Sequence, residues 1–258
     1  VPMIRFLSTR FKFKTLLIFL FLLAAIDPIL KQFGRLGLNF LDVLFTIALL
    51  TALYSISGNR KILFSGILMV APIFFLGWTD FAYNEFYLSL VIYAFGMAFF
   101  GFVAVSILIH IVAEESVTMD LIYGSACVYF LIGFMWSIGY GLIELLIPGS
   151  FSIGGDLFNH MDRTSTSHYG FLNDNLTYFS FITLTTLGYG DIIPLSAPAK
   201  SVASLEAIVG QLYIALLVGR LVGLHTSQSM AEKREKKKLK EICKPLLEKD
   251  QTIAEKVL

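Results

Sequence analysis

Charge is what this 258-residue chain lacks most. Asp, Glu, Lys and Arg make up only 15% of it, against about 25% in soluble domains. Hydrophobic side chains reach 56% and the mean hydropathy is +0.75, which argues against a water-soluble domain. There are two cysteines, Cys127 in an apolar stretch and Cys243 in a charged tail. They build no disulfide framework, and two thiols alone make no metal site. A net charge of +1, with no cluster of basic and aromatic residues, gives no reason to expect a nucleic-acid partner. No nucleophile–base arrangement, metal-ligand spacing or phosphate loop is found, so the chain does not read as an enzyme. No cleavable signal is expected either: the first apolar run has a basic leader but is interrupted by Asp27-Pro28, without a small-residue cleavage pattern.

What the chain has in quantity is long apolar runs. A helix needs about 20 mostly apolar residues to cross a hydrocarbon core of about 30 Å. Six segments are candidates: roughly 13–31, whose unbroken apolar part stops at Ile26, then 38–57, 62–79, 86–112, 119–147 and 198–224. Between the last two, residues 149–173 are polar and glycine-containing, with the run Asn159 to Ser165 at their centre. Leu176 to Leu187 is then apolar and aromatic but too short to span. Such a segment reads as re-entrant, and non-helical backbone at that depth must be buried in protein or line water. Basic residues orient the chain. Arg5, Arg10, Lys12 and Lys14 in the leader, Arg60 and Lys61 after the second run, and Lys233 to Lys240 in the tail fall on one side if six helices cross. Both termini are therefore expected in the cytoplasm, although Lys31 and Arg35 fall outside and Glu114, Glu115 and Asp120 make one inner loop acidic.

The stretch Thr183-Leu184-Thr185-Thr186-Leu187-Gly188-Tyr189-Gly190-Asp191 resembles the signature of the potassium channel family, whose filter is the standard example of carbonyl-based selectivity. Leu187 departs from the commoner valine, at a position where a backbone carbonyl is all that is needed. The resemblance is strong over about 119–224. It implies an all-α integral membrane protein: six transmembrane helices plus a re-entrant pore helix and selectivity filter, assembled as a homotetramer. K+ is the permeant ion, held at sites built from Thr186, Leu187, Gly188, Tyr189 and Gly190. Carbonyls from four loops replace the ion's water, and Gly188 and Gly190 accept the positive φ that aiming them requires. Asp191 stands at the outer mouth, and the pore helix directs its negative C-terminal end at the cavity.

Several residues would support this filter. Tyr178 and Phe179 stand where many family members have two tryptophans; Tyr178 either hydrogen-bonds Asp191 or simply packs. Ile182 replaces a glutamate of some bacterial relatives, so no carboxyl pair forms with Asp191. Glu206 is an intramembrane carboxylate, and such groups are expensive. It sits either behind the filter, bonded to the Thr183 or Thr185 hydroxyl, or faces the cavity. Glu144 is expected at the polar entrance. Gly210 occupies the place of the family's inner-helix hinge, with close helix packing as the other use of a small residue. Helical spacing down that face gives Ile214, Val218 and Leu221 as a lower-pore lining and apolar gate. Arg220 would snorkel to headgroups or pair with the acidic loop. Asn175-Leu176-Thr177 fits a glycosylation pattern, but Asn175 is expected instead to cap the pore helix with its neighbours Asn173 and Asp174.

Over residues 1–112 the resemblance is only one of helix count. The fourth run, Glu85 to Val112, has no Arg or Lys, and displaced charge is what couples to a field. The expected organisation is a sensor-like four-helix domain at 1–112, a pore domain at 113–225 and a charged tail at 226–258, helical up to Lys244-Pro245. The expected function is passive K+ conduction with weak or no voltage sensing, in the plasma membrane, a bacterial inner membrane given the short tail, with membrane lipid and three further copies as partners. A silent or regulatory channel subunit and a non-selective cation channel are the alternatives. A potassium uptake transporter would carry several degenerate filter loops instead.

Overall fold

A computed structural model of the chain describes residues 12–31, 33, 35–55, 60–83, 86–114, 118–157 and 174–257. Arg5, Arg10, Glu115, the run 159–165 and Asn173 lie outside these residues, as do the side chains of Asp174 and Cys243. The element order is α1 (Lys12–Lys31), α2 (Arg35–Ser55), α3 (Arg60–Tyr83), α4 (Phe86–Ala113), α5 (Met119–Leu146), β1 (Phe151–Ile153), β2 (Asp156–Leu157), α6 (Asp174–Leu184), β3 (Ile192–Pro194) and α7 (Ala197–Val257). Each apolar run is thus helical. Among the described residues, three stretches are long and apolar enough to cross a membrane: Phe86–Ala113, Met119–Leu146 and Ala197–Ser227. The helices α1 to α3 span 20, 21 and 24 residues.

Local chemistry sets the ends of α5. Thr118 is extended (φ −114°, ψ 159°), and its hydroxyl accepts the Leu121 N–H at 3.2 Å, an N-cap. Asp120 follows in the first turn, at the positive end of the helix dipole. Pro148 and Gly149 (φ 80°) terminate the helix.

On α4 the buried positions Ile92, Tyr93, Gly96, Phe99, Phe100, Val103, Ala104, Ile107 and Ile111 recur at helical spacing. They meet α5 in a core that also takes Phe13, Leu16 and Leu20 from α1 and Phe45 and Leu49 from α2. The helix α1 lies directly on α5: the Cys127 thiol donates to the Phe13 carbonyl at 3.2 Å, and Phe21 meets Phe130 edge-on. One core therefore runs without a break from α1 to α5.

Two expectations need correction. The chain is not purely helical: β1, β2 and β3 form an antiparallel sheet in the order β2-β1-β3. Ser152 faces Leu157 on one side and Ile193 on the other. Gly154 and Gly155 make the hairpin turn, with φ of 60° and 98°; a two-residue turn of that hand needs positive φ at both positions. Secondly, α7 does not stop at Lys244-Pro245 but runs to Val257 as one 61-residue helix. A proline removes one backbone donor, and the residues after it are largely good helix formers.

Truncating a side chain in the shared core leaves a cavity between α4, α5 and α6. Phe134 is 1% exposed and meets Phe100 and Phe181. Phe134→Ala is expected to cost about 3 to 5 kcal/mol. Phe64→Ala, at a side chain 69% exposed, should cost under about 1 kcal/mol. Thermal melts of the two variants in detergent compare them directly.

Candidate functional site

The pore loop begins where α6 runs out of helical partners. The Thr185 N–H still bonds Phe181 O at 3.0 Å, and Thr186 N–H bonds Thr183 O at 2.9 Å. Both Leu187 and Gly188 then turn their N–H groups back to a single carbonyl, Ile182 O, at 2.8 and 3.2 Å. The final carbonyls of the helix are satisfied by the loop that follows it. Beyond this point the backbone hand changes residue by residue: φ is positive at Thr186 (56°), Gly188 (51°) and Gly190 (79°), and not at Leu187 or Tyr189. Glycine takes that conformation freely; Thr186 is the one non-glycine among the described residues to do so. The Thr185 hydroxyl is spent on Phe181 O and Ile182 O at 2.7 and 3.3 Å.

The outer end of the loop is tied to the sheet. Asp191 O accepts the Gly154 N–H at 3.0 Å, and the Leu195 N–H bonds Ser150 O at 2.7 Å. The Tyr178 hydroxyl bonds the Asp191 carboxylate. Desolvation, with that bond and the carboxylate's charge, pushes the Tyr178 phenol above its ordinary value. Phe179 is a packing residue: it forms a three-ring cluster with Tyr140 and Phe151, centroids 5.0 to 5.5 Å apart. Ile182 is buried with them.

Glu206 lies behind the pore helix and is fully buried. Its partners are not Thr183 and Thr185. The Tyr140 hydroxyl from α5 and the Ser180 hydroxyl from α6 donate to its two oxygens, and Ser180 Oγ also lies 2.7 Å from Gly133 O. One carboxyl thus joins outer, pore and inner helices. Beside it, Ser137 and Thr177 share a hydrogen bond of 2.8 Å between α5 and α6. Glu144 is not at the entrance either. It is fully buried, and its oxygens accept the N–H groups of Gly149 and Ser150 at 2.6 and 2.9 Å, clamping the turn after α5.

The inner helix α7 reaches the loop at Gly210. A Cβ there would stand 2.2 Å from Leu184 O, the end of the pore helix; the glycine permits this close approach. The next residue, Gln211, donates its Nε2–H to Thr186 Oγ1 at 3.1 Å. Lower down, Tyr213 OH donates to Ser125 O at 2.7 Å. Ile214 and Val218 are exposed, at 40% and 52%. Leu221, seven residues on from Ile214, is partly buried against the chain's own core. The Arg220 Nη2 donates to Ile111 O, Val112 O and Glu114 O at 3.0, 2.7 and 2.9 Å, gathering the carbonyls at the end of α4.

Sequence reasoning missed Tyr140, Ser180 and Gln211. The only signal for Gln211 was its place beside a glycine at helical spacing from Glu206.

Residues 170–226 match a family model described as "Ion channel". The chain is 30% identical over 115 residues to the voltage-gated potassium channel regulatory subunit KCNG2 of Rattus norvegicus, covering 44% of this chain and 24% of that protein. It is 37% identical over 89 residues to the voltage-gated potassium channel KCNC1 of Mus musculus, covering 33% of this chain and 17% of that protein. The chain therefore spans about a quarter or less of these relatives' lengths. No solved structure matches it.

Removing the Glu206 carboxyl takes away the acceptor described for the buried Tyr140 hydroxyl, at a cost of about 1 to 3 kcal/mol, while Ser180 keeps Gly133 O. Glu206→Ala should therefore melt well below the unsubstituted chain. Glu206→Gln, which keeps hydrogen-bonding atoms at the site, should melt close to it. An equal loss in both variants would show that an ionised carboxylate is required. Gly210→Ala should also be destabilising, since its methyl group must displace Leu184 O.

Proposed function

We propose, given that this chain belongs to the potassium channel family, that it conducts K+ passively through a fourfold filter built from residues 186–190. One observation carries the reading: directly after a short helix docked between two apolar helices, the backbone alternates hand at Thr186, Gly188 and Gly190. Alternation of that kind presents successive carbonyls to one axis, where they replace an ion's hydration shell. A single loop per chain cannot close a ring, so four copies are needed. The surface of the inner helix suits that assembly. Only 6% of its most apolar stretch is buried within one chain, against 56% for α5. Exposed apolar residues on that scale mark an interface, a lumen or lipid.

With the filter on the fourfold axis, α1 to α5 and α7 are read as six crossings with both termini in the cytoplasm. The chain then divides into a four-helix domain (1–112), a pore domain (113–225) and a tail (226–258), in the plasma membrane of a bacterium. Gln211 marks the cavity side of α7, because it touches the base of the filter. Helical steps from it reach Ala215, Val218 and Val222 as lower-pore lining. Val218 stays in the gate, Ile214 and Leu221 fall together at the edge of that face, and Gly210, packed on Leu184, leaves it. A homotetramer is preferred. The regulatory alternative has one specific support, that the rat relative is named as a regulatory subunit.

The test is K+ and Na+ flux through purified protein in liposomes over a range of voltages. K+-selective flux whose open probability barely changes with voltage is expected. Gly188→Ala, which forces a Cβ onto a positive φ, should abolish it. Steep voltage dependence would overturn the reading of α4 as a helix without gating charge. Silence of the pure protein, relieved by a co-expressed channel subunit, would favour the regulatory alternative.

A further inference from the structure

We infer that Gln211 is a positioning residue for the innermost cation site, fixing the place and orientation of the Thr186 hydroxyl. The inference rests on the channel reading above and adds a side chain that the filter motif does not contain.

Three observations converge on it. Thr186 is held at φ 56°, a conformation β-branched residues avoid and which persists only where the surroundings over-determine it. Its own N–H is fixed on Thr183 O at 2.9 Å, and the side chain needs a second anchor. Gln211 supplies one, through Nε2–H to Oγ1 at 3.1 Å. The register of that contact is set next door. Because Gly210 has no side chain, α7 comes into contact with Leu184 O, where any Cβ would stand at 2.2 Å. Leu184 and Thr186 are two residues apart on the loop side, and Gly210 and Gln211 are adjacent on the helix side. Contact at the first pair delivers the second.

The chemistry of the contact bears on ion binding. A threonine hydroxyl has one proton and two acceptor positions, whereas an amide NH2 can only donate. With the Gln211 N–H on one lone pair, the hydroxyl proton cannot point at Gln211. A cation then takes the other lone pair, and the proton is left to point away from both. The oxygen is also held at a fixed distance from the axis. A cage of fixed size, or of fixed ligand number and field, is what separates K+ from the smaller Na+. A hydroxyl free to rotate and shift would follow a smaller ion inward.

The test is a double-mutant cycle read by bi-ionic potentials in liposomes, with Gln211→Met and Thr186→Val alone and together. Gln211→Met keeps side-chain length and loses the donor; Thr186→Val keeps the shape and loses the hydroxyl. Gln211→Met is expected to raise the Na+ to K+ permeability ratio about fivefold, the equivalent of one lost hydrogen bond, and to change nothing further in the Thr186→Val background. Equal effects in both backgrounds, or an unchanged ratio in the single variant, would overturn the inference. As a second measurement on the same proteins, the K+ concentration that half-maximally raises the melting temperature should rise in Gln211→Met, with the melting temperature in Na+ alone unchanged. A lower melting temperature in both salts, with no change in K+ dependence, would mean a structural role only and would also overturn it. If the unsubstituted chain does not discriminate K+ from Na+ in either measurement, the channel reading and this inference fall together.

Discussion

The end of the pore helix is the point from which the rest of the site is hung. Backbone that leaves a helix at membrane depth loses its regular partners, and there is no bulk water to replace them. Here the departing strand bonds back to the helix it left: Ile182 O takes the N–H groups of both Leu187 and Gly188. Leu184 O is reached by the Tyr129 hydroxyl at 3.3 Å and is covered by the bare backbone at Gly210. Each of these contacts fails if the short helix shifts by an ångström or two. The buried Glu206 bridge, with Tyr140 on one side and Ser180 on the other, stops that shift. It is an expensive way to fix a position, since a buried carboxyl must keep its partners. In return, its two oxygens take hydroxyls from two different elements at once, which no single hydroxyl on α7 would do with the same geometry.

How far the sequence reveals this depends on the range over which each feature is encoded. Helices were legible because composition alone marks them, and the filter because its residue types must stand in one unbroken order. The glycines at 188 and 190 announced their positive φ; Thr186 did not, because its hand is imposed by the bonds around it. The sheet was hidden by its size, with strands of three, two and three residues. The pair Gly154-Gly155 between Ile153 and Asp156 was nevertheless a readable hairpin signal. Glu206 stood out by its type and its place in an apolar run. Its partners did not, because they lie 66 and 26 residues away, on helices whose rotation no local pattern fixes. The same ignorance of rotation placed Glu144 at the entrance and left Gly210 open between hinge and packing.

The inner helix is consequently tied at both ends of its membrane stretch. Near the filter it is held by contact at Gly210 and by the Gln211 bond to Thr186. Further along, Arg220 collects three carbonyls at the C-terminal end of α4, where the helix dipole is negative and a cation is favoured. A guanidinium suits that place because its planar fork can bond several acceptors at once. Between the two ties, Tyr213 reaches Ser125 O on α5. The helix α4 carries no basic residue along its span except His110. It can move Arg220 only by moving itself. Because α4 shares an unbroken core with α5 and α1, such movement means repacking that core. A shift of the inner helix must therefore release the Arg220 tie, the Tyr213 bond or the filter tie, and the filter tie is two hydrogen-bonded or close-packed residues wide. A rearrangement that frees the lower end while the upper end holds would bend the helix between Gln211 and Arg220, below Gly210, and would leave the Thr186 end of the filter undisturbed.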